Sequence, residues 1–219
     1  PDWSRGLGDV YKRQSLCRSK RRKSKVMTSI SSLNKVHHLG QYGNFENKDE
    51  NQLIKIKEIK NIFIYQVVKF KNSKKNNTEI MVDNLNFPEV LKVNSNDQTR
   101  ILWMGPENWL VISSNNLLNE LNEKFSTTEF AVTDISHSRS IIELQGSDVL
   151  EVIKKGSPFD IESLTKNNCT NTVYNGITIT IDNIEDSKNQ IRIISLRSFG
   201  ESLYHSVTDA CLEYGYKAI

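Results

Sequence analysis

Long apolar runs are missing from this sequence of 219 residues. The longest apolar segments, residues 62–68 and 191–196, have the length of a β-strand, whereas a membrane-spanning helix needs about 20 residues. A chain of this length can still bury the core of one large domain or two small ones. We therefore expect a soluble protein that has no membrane as a partner.

Cysteine and histidine are scarce, and their spacing fits neither a disulfide framework nor a metal site. The residues concerned are Cys17, Cys169, Cys211, His37, His38, His137 and His205. A sparse, odd set of cysteines without an apolar signal segment is typical of the reducing cytoplasm. We therefore predict a cytoplasmic protein without a bound metal, and we assign Cys211 to the core rather than to catalysis.

Glycine-rich phosphate-binding turns are also absent. A dinucleotide cofactor needs such a turn between a strand and a helix, because the backbone must approach the pyrophosphate closely. Gly6 and Gly8 follow no predicted strand, and residues 27–219 contain neither a glycine-rich motif nor a Walker loop. We therefore predict that this chain holds no cofactor of that kind.

Basic charge is concentrated at one end of the chain. The formal net charge of +3 includes nine Lys and Arg within residues 1–26 against Asp2 and Asp9, which leaves 20 basic and 24 acidic residues in the remainder. This segment precedes the first methionine, Met27, and lacks the apolar stretch of a secretory signal. We interpret residues 1–26 as a non-native or disordered basic extension; a nucleic-acid-binding arm and an organelle presequence are the alternatives. Because the remainder is acidic, we expect no nucleic-acid partner.

The rest of the chain divides into a leader and a body. Residues 27–51 are polar and have no hydrophobic period, which predicts a flexible leader. In residues 52–217, pairs of predicted strands alternate with single predicted helices. The predicted strands are 53–58, 62–70, 100–104, 109–113, 130–135, 140–144, 177–181 and 191–196, and the predicted helices are 86–92, 115–125, 147–156 and 198–214. This order predicts an α+β fold of two ferredoxin-like halves, 52–125 and 126–217, with antiparallel sheets covered by helices.

One polar cluster, residues 134–139, lies between two predicted strands and contains Asp, Ser and His. A catalytic triad needs an exposed nucleophile and a base that a third group orients, which consecutive positions do not provide. We interpret Asp134 and Ser136 as hydrogen-bonding the following turn, and Arg139 as forming an ion pair or an interface contact.

Two further segments carry side chains that could bind a partner or a ligand. Trp103 and Trp109 flank a Gly-Pro turn; we assign them to the core, with anchoring of a partner as the alternative. Ser198 and Glu201 have the spacing of a capping box at the start of the last helix. An anion site at that helix start is the alternative interpretation.

Four segments in register resemble the gamma subunits of heterotetrameric sarcosine oxidases. Residues 102–110 are similar to the family's W-x-GP-x-x-WL signature, and residues 133–146 to its D-x-S strand with a following glycine turn. Residues 149–160 and 197–199 are similar to its "vL-x-x-G-x-p-x-D" element and its "R-S-F/Y" ending. The structural or interface residues that the resemblance singles out are Trp103, Gly105, Pro106, Trp109, Asp134, Ser136, Arg139, Gly146, Gly156, Asp160, Arg197, Ser198 and Phe199.

The resemblance implies an accessory role. Complexes of this family oxidise sarcosine to glycine with tetrahydrofolate and O2, and they form 5,10-methylenetetrahydrofolate and H2O2. FAD, covalent FMN, NAD, zinc and tetrahydrofolate would belong to the other subunits, and this chain would carry no catalytic, cofactor-binding or metal-binding residue. Its partners would be the alpha, beta and delta subunits, alpha most directly, and its halves would resemble the folate-binding domain of T-protein. The alternative is a stand-alone folate-binding protein similar to an aminomethyltransferase.

Overall fold

The computed structural model describes residues 30–46, 48–73 and 80–219, and residues 32–219 form one compact unit. The predicted basic extension, residues 1–26, lies outside the described residues. The described strands are β1 (Gly40–Tyr42), β2 (Ile54–Glu58), β3 (Phe63–Lys69), β4 (Met81–Val82), β5 (Leu85–Asn86), β6 (Val93–Ser95), β7 (Thr99–Gly105), β8 (Asn108–Ser113), β9 (Phe130–Asp134), β10 (Arg139–Gln145), β11 (Cys169–Tyr174), β12 (Ile177–Asn183), β13 (Gln190–Leu196) and β14 (Tyr216–Ala218).

Three α-helices and three short 3-10 helices accompany the strands in the described ranges. The α-helices are α1 (Leu118–Lys124), α2 (Val149–Gly156) and α3 (Gly200–Cys211), and the 3-10 helices span Glu50–Gln52, Ile161–Ser163 and Arg197–Phe199. Of the helices that the structure describes, none has the length and apolar character needed to cross a membrane.

The strands form a larger and a smaller sheet. The larger sheet has the order β1-β14-β2-β10-β13-β12-β11, and the smaller has the order β6-β7-β8-β3-β9. Pairing is antiparallel throughout except between β14 and β2, which run parallel with Tyr216 opposite Ile54. In the larger sheet, β10 pairs with β13 over its whole length and places Arg139 opposite Leu196. β4 and β5 form a separate two-stranded ladder.

Apolar side chains form three core layers: one between the larger sheet and its helices, one between the two sheets, and one on the outer face of the smaller sheet. The helix-side core lies between the larger sheet and helices α2 and α3, and includes Leu33, Ile54, Ile142, Val152, Ile193, Leu203 and Val207. The inter-sheet core includes Ile64, Leu102, Leu110, Ile112, Ile141, Cys169 and Ile194. The outer core lies between the smaller sheet and α1, and includes Tyr65, Val67, Phe87, Trp109, Leu121 and Phe125. The order of layers is therefore helix, sheet, sheet, helix.

Periodicity in the sequence accounts for much of this packing. In α3, Leu203, Val207 and Cys211 recur every fourth residue and are all buried, as one apolar stripe of a helix requires. Strand alternation sends Ile142 into the helix-side core and its neighbour Ile141 into the inter-sheet core. The predicted α+β class, with antiparallel sheets covered by helices, is confirmed.

The prediction of a flexible leader over residues 27–51 is corrected for the part that the structure describes, residues 30–46 and 48–51. Leu33 is fully buried in the helix-side core, and residues 40–42 form β1, which pairs with β14. The buried Glu58 carboxylate accepts hydrogen bonds from Ser32 Oγ at 3.0 Å and from the Leu33 backbone N–H at 3.2 Å. These contacts join residues far apart in sequence, so the local pattern does not contain them.

Two predicted helix features are also wrong. Residues 86–92 form no helix, because β5 ends at Asn86 and Leu91 has a φ of 60°, which a right-handed helix does not tolerate. The capping box is not formed, since Ser198 lies inside the 3-10 helix and α3 has no side-chain cap at Phe199.

The two sheets do not coincide with the predicted halves, 52–125 and 126–217. β2, from the first half, pairs with β10 and β14 in the larger sheet. β9, from the second half, pairs with β3 in the smaller sheet. Each strand lies where its apolar face meets a core, with Ile54 and Ile56 of β2 in the helix-side core and Phe130 of β9 in the outer core.

Candidate partner-docking surface

The hairpin of β7 and β8 carries the first group of motif residues. Trp103 and Trp109 are opposite each other, with a register shift between Trp103 and Gly105. Trp109 is 2% exposed, its Nε1–H donates to the Pro88 carbonyl at 3.1 Å, and its ring packs edge-on against Phe87 with centroids 4.9 Å apart. Trp109 is therefore a core residue. Trp103 is partly buried and packs against both the outer and the inter-sheet core.

The tip of this hairpin is exposed but firmly held. Pro106 is exposed, and Glu107 has a φ of 55°. The Glu107 carbonyl accepts the Lys69 backbone N–H at 2.9 Å, and its Oε2 lies 3.4 Å from Lys69 Nζ. Asn108 Oδ1 accepts a hydrogen bond from Gln66 Nε2 at 3.1 Å. Two successive residues of the tip, Glu107 and Asn108, thus bind to β3.

A further contact ties the hairpin to the larger sheet. Asn171 of β11 donates its Nδ2–H to the Met104 carbonyl at 3.0 Å, and its Oδ1 accepts the Thr180 hydroxyl at 2.7 Å. Sequence analysis missed Asn171, because its role depends on the packing of two sheets and no local motif marks it.

The turn at residues 134–138 positions the second group. Asp134 Oδ1 accepts both the backbone N–H of Ser136 at 2.9 Å and its hydroxyl at 2.6 Å. These hydrogen bonds lower the pKa of the Asp134 carboxyl. Ser136 Oγ also accepts the Ile64 backbone N–H at 2.9 Å, which fixes the turn to β3. The Ser136 hydroxyl donates its hydrogen bond directly to Asp134. His137 therefore does not lie between them as the base of a triad would.

The third group lies where the turn meets the end of β13. The backbone N–H of Arg197 donates to the Ser138 carbonyl at 2.9 Å, and Arg139 faces Leu196 across the strands. Leu196 and Phe199 are 44% and 47% exposed. Ser198 is exposed as well. The structure thus brings Arg139 together with the 196–199 segment.

For Arg139 we expected an ion pair or an interface contact. Across the described ranges no carboxylate lies at ion-pairing distance from its guanidinium, so the ion pair is not formed there, and the interface contact stays a prediction. The side chain is partly buried, and this burial lowers its pKa.

The remaining motif residues hold local turns. Gly146 has a φ of 148°, and a Cβ there would come within 3.2 Å of Ile54 Cα. Gly156 lies against the ring of Tyr174. Asp160 caps the 3-10 helix that follows it, with Oδ1 accepting the Glu162 N–H at 3.2 Å. These three positions are structural, while the hairpin tip and the corner formed by Arg139, Leu196 and Phe199 are on the surface.

The two described cysteines lie in the core. Cys169 and Cys211 are fully buried, and burial raises the pKa of each thiol to about 12. Among the described residues, no three His, Cys, Asp or Glu side chains come together as metal ligands would.

This fold recurs in known structures. Glycine cleavage system aminomethyltransferase T from Bartonella henselae matches with a TM-score of 0.51 and 11% identity over 72% of this chain and 46% of that chain. A chain of the heterotetrameric sarcosine oxidase from Corynebacterium sp. U-96, in complex with pyrrole 2-carboxylate, matches with a TM-score of 0.65 and 22% identity over 76% of this chain and 87% of that chain. At these identities the likeness shows the fold alone, which is a T-protein-like α+β fold.

The family follows from sequence comparison. Residues 79–213 match the model of the "Sarcosine oxidase, gamma subunit family". The subunit gamma of sarcosine oxidase from Corynebacterium sp. (strain U-96) is 28% identical over 123 residues, which cover 53% of this chain and 58% of that protein. The corresponding subunit from strain P-1 is 28% identical over 128 residues, covering 55% and 61%. The chain belongs to the sarcosine oxidase gamma subunit family, as its motifs predicted, and it spans about three fifths of the curated relatives it matches.

Proposed function

We propose that this chain is the accessory gamma subunit of a heterotetrameric sarcosine oxidase and supplies docking surface rather than catalytic groups. The single observation that carries the proposal is the family match over residues 79–213. The complex would demethylate sarcosine oxidatively to glycine, with tetrahydrofolate and O2 as co-substrates and 5,10-methylenetetrahydrofolate and H2O2 as the other products.

The side chains of this chain support a non-catalytic part in that reaction. A thiol acts as a nucleophile in its thiolate form, and a pKa of about 12 keeps Cys169 and Cys211 protonated at neutral pH. The hydroxyl of Ser136 is directed to Asp134 and the Ile64 backbone. These groups stabilise the fold and are not placed to attack a substrate.

The partners in this proposal are the alpha, beta and delta subunits, with alpha in the most direct contact, in the cytoplasm. FAD, FMN, NAD, zinc and tetrahydrofolate would be held by those subunits. The surfaces proposed for contact are the hairpin tip around Pro106 and the corner formed by Arg139, Leu196 and Phe199. Both are exposed yet anchored by backbone hydrogen bonds, and such preorganised surfaces lose little conformational freedom on binding.

Coexpression with the other three subunits tests the proposal. We expect an affinity tag on this chain to purify all four chains in equal amounts, together with sarcosine-dependent formation of H2O2. A full-length chain that stays alone while the other three subunits assemble and react without it would contradict the accessory role.

The stand-alone aminomethyltransferase-like alternative is not favoured. The likeness to aminomethyltransferase T shows a shared fold over 46% of that chain, at 11% identity. Titration of the isolated chain with tetrahydrofolate, followed by the fluorescence of Trp103 and Trp109, separates the two functions. Saturable quenching with turnover would support the alternative, and an unchanged signal is expected for an accessory subunit.

A further inference from the structure

Arg139 differs from two other strand arginines, Arg100 of β7 in the smaller sheet and Arg192 of β13 in the larger sheet. Arg100 makes a bidentate ion pair with Asp182, with nitrogen-oxygen distances of 2.9 and 2.7 Å. Arg192 Nε lies 2.7 Å from Glu143 Oε2. Arg139 is partly buried as they are, but no carboxylate of the described ranges pairs with it.

The surroundings of Arg139 extend the inter-sheet core to the surface. Side chains alternate along a strand, so Arg139 lies on the same face of the larger sheet as Ile141, and Leu196 on the same face as Ile194. Ile141 and Ile194 are covered by the smaller sheet, whereas Leu196 is 44% exposed. Phe199, three residues beyond Leu196, is 47% exposed. The apolar face that the smaller sheet covers at Ile141 and Ile194 therefore continues uncovered at Leu196, beside Arg139.

An unpaired cation in this position is unfavourable for the isolated chain. Burial removes water from the guanidinium, and among the described residues no opposite charge replaces that water, which disfavours the charged form. A carboxylate that arrives with an apolar neighbour would restore the lost interactions, and it would bind Arg in a planar, bidentate geometry. The corner is thus complementary to an acidic side chain set in an apolar surface.

We propose that the corner formed by Arg139, Leu196 and Phe199 receives an acidic side chain of a partner subunit, whose carboxylate pairs with the guanidinium while its apolar neighbours cover Leu196 and Phe199. The inference rests on the proposed function, because it requires a partner subunit. It adds the chemistry of the partner's surface to that proposal.

Substitution of Arg139 by methionine gives opposite effects on folding and on binding if this inference is right. Removing the uncompensated charge leaves the full-length chain as stable as the wild type or more stable in urea unfolding. The affinity for the coexpressed partner subunits falls about tenfold or more, because their carboxylate loses its cation. Arg139→Glu weakens capture further, since two carboxylates then face each other. Lys71→Met is the matched control, because Lys71 is an exposed cation that follows the C-terminal end of β3. It should change neither the stability of the chain nor its affinity for the partner subunits.

Each of the other outcomes counts against a different statement. Wild-type chain that captures no subunit contradicts the proposed function, and the inference is lost with it. Capture of wild type, Arg139→Met and Arg139→Glu to the same extent overturns the inference alone. If Leu196→Asp abolishes capture and Arg139→Glu leaves capture unchanged, the contact is purely apolar, which also overturns the inference. If Arg139→Glu abolishes self-association of the chain instead, the occupant is a second copy and the proposal is wrong.

Discussion

At the scale of single residues, two glycines of the family motifs differ in what their missing side chain allows. A Cβ at Gly156 would lie 2.4 Å from Cζ of Tyr174. That ring is held in place, because the Tyr174 hydroxyl donates to the Val152 carbonyl at 3.0 Å. A Cβ at Gly105, in the hairpin, meets nothing within 4 Å. Sequence analysis marked both glycines alike, and the steric demand exists only at the first.

Gly156→Ala therefore tests this packing. Alanine normally stabilises a helical position by about 1 kcal/mol relative to glycine, yet here the methyl group must displace the Tyr174 ring. We expect the free energy of unfolding, measured in urea, to fall by about 1–3 kcal/mol. Gly105→Ala is the control and should change it by less than about 0.5 kcal/mol. Equal stability of the two variants would mean that the ring moves aside freely.

At the scale of strands and helices, local pattern predicted most of the long elements but missed β11, which has six residues, and the short strands. β3, β8, β10 and β13 contain runs of β-branched and aromatic residues that a strand favours. β1 and β14 have three residues each and depend on each other and on β2 for pairing. Such pairings join opposite ends of the chain, so no window of sequence contains them.

One ion pair connects an element of each sheet. Arg100 of β7 binds Asp182 of β12 through two hydrogen bonds of 2.9 and 2.7 Å, and the side chains are 13% and 1% exposed. A pair this deeply buried is expected to matter most when one partner is removed, because the other is left as an uncompensated charge.

A double-mutant cycle measures this contact. Asp182→Leu alone should lower the free energy of unfolding by about 3–5 kcal/mol, whereas the double variant with Arg100→Met should recover most of that loss. Lys154→Met serves as the control, since its ion pairs with Glu151 and Glu162 are exposed and such pairs contribute about 0–1 kcal/mol. Additive effects of the two single changes would show that Arg100 and Asp182 act independently.

At the scale of the whole molecule, the family motifs do not show what holds their residues in place. The resemblance singled out Pro106, which lies in the hairpin turn, and Arg139, which begins β10 directly after a turn. Their anchors, Asn171 for the hairpin and Ile64 for the turn before Arg139, come from strands that are distant in sequence. The ion pair that we expected for Arg139 is likewise not formed within the described ranges. The neighbours of Arg139 depend on how the sheets assemble, which local sequence does not determine.

The same dependence applies to the segment that precedes β1. Leu33 and Leu39 both fall in the predicted leader, but Leu33 is 0% exposed in the helix-side core and Leu39 is 73% exposed. Leu33→Ala should lower the free energy of unfolding by about 2–5 kcal/mol, the usual range for a buried leucine. Leu39→Ala should change it by less than about 0.5 kcal/mol. Urea unfolding of both full-length variants measures these changes. Equal, small losses of unfolding free energy would assign residues 32–39 to a flexible leader. A much larger loss for Leu33→Ala than for Leu39→Ala, as we expect, would show that the segment contributes to the core.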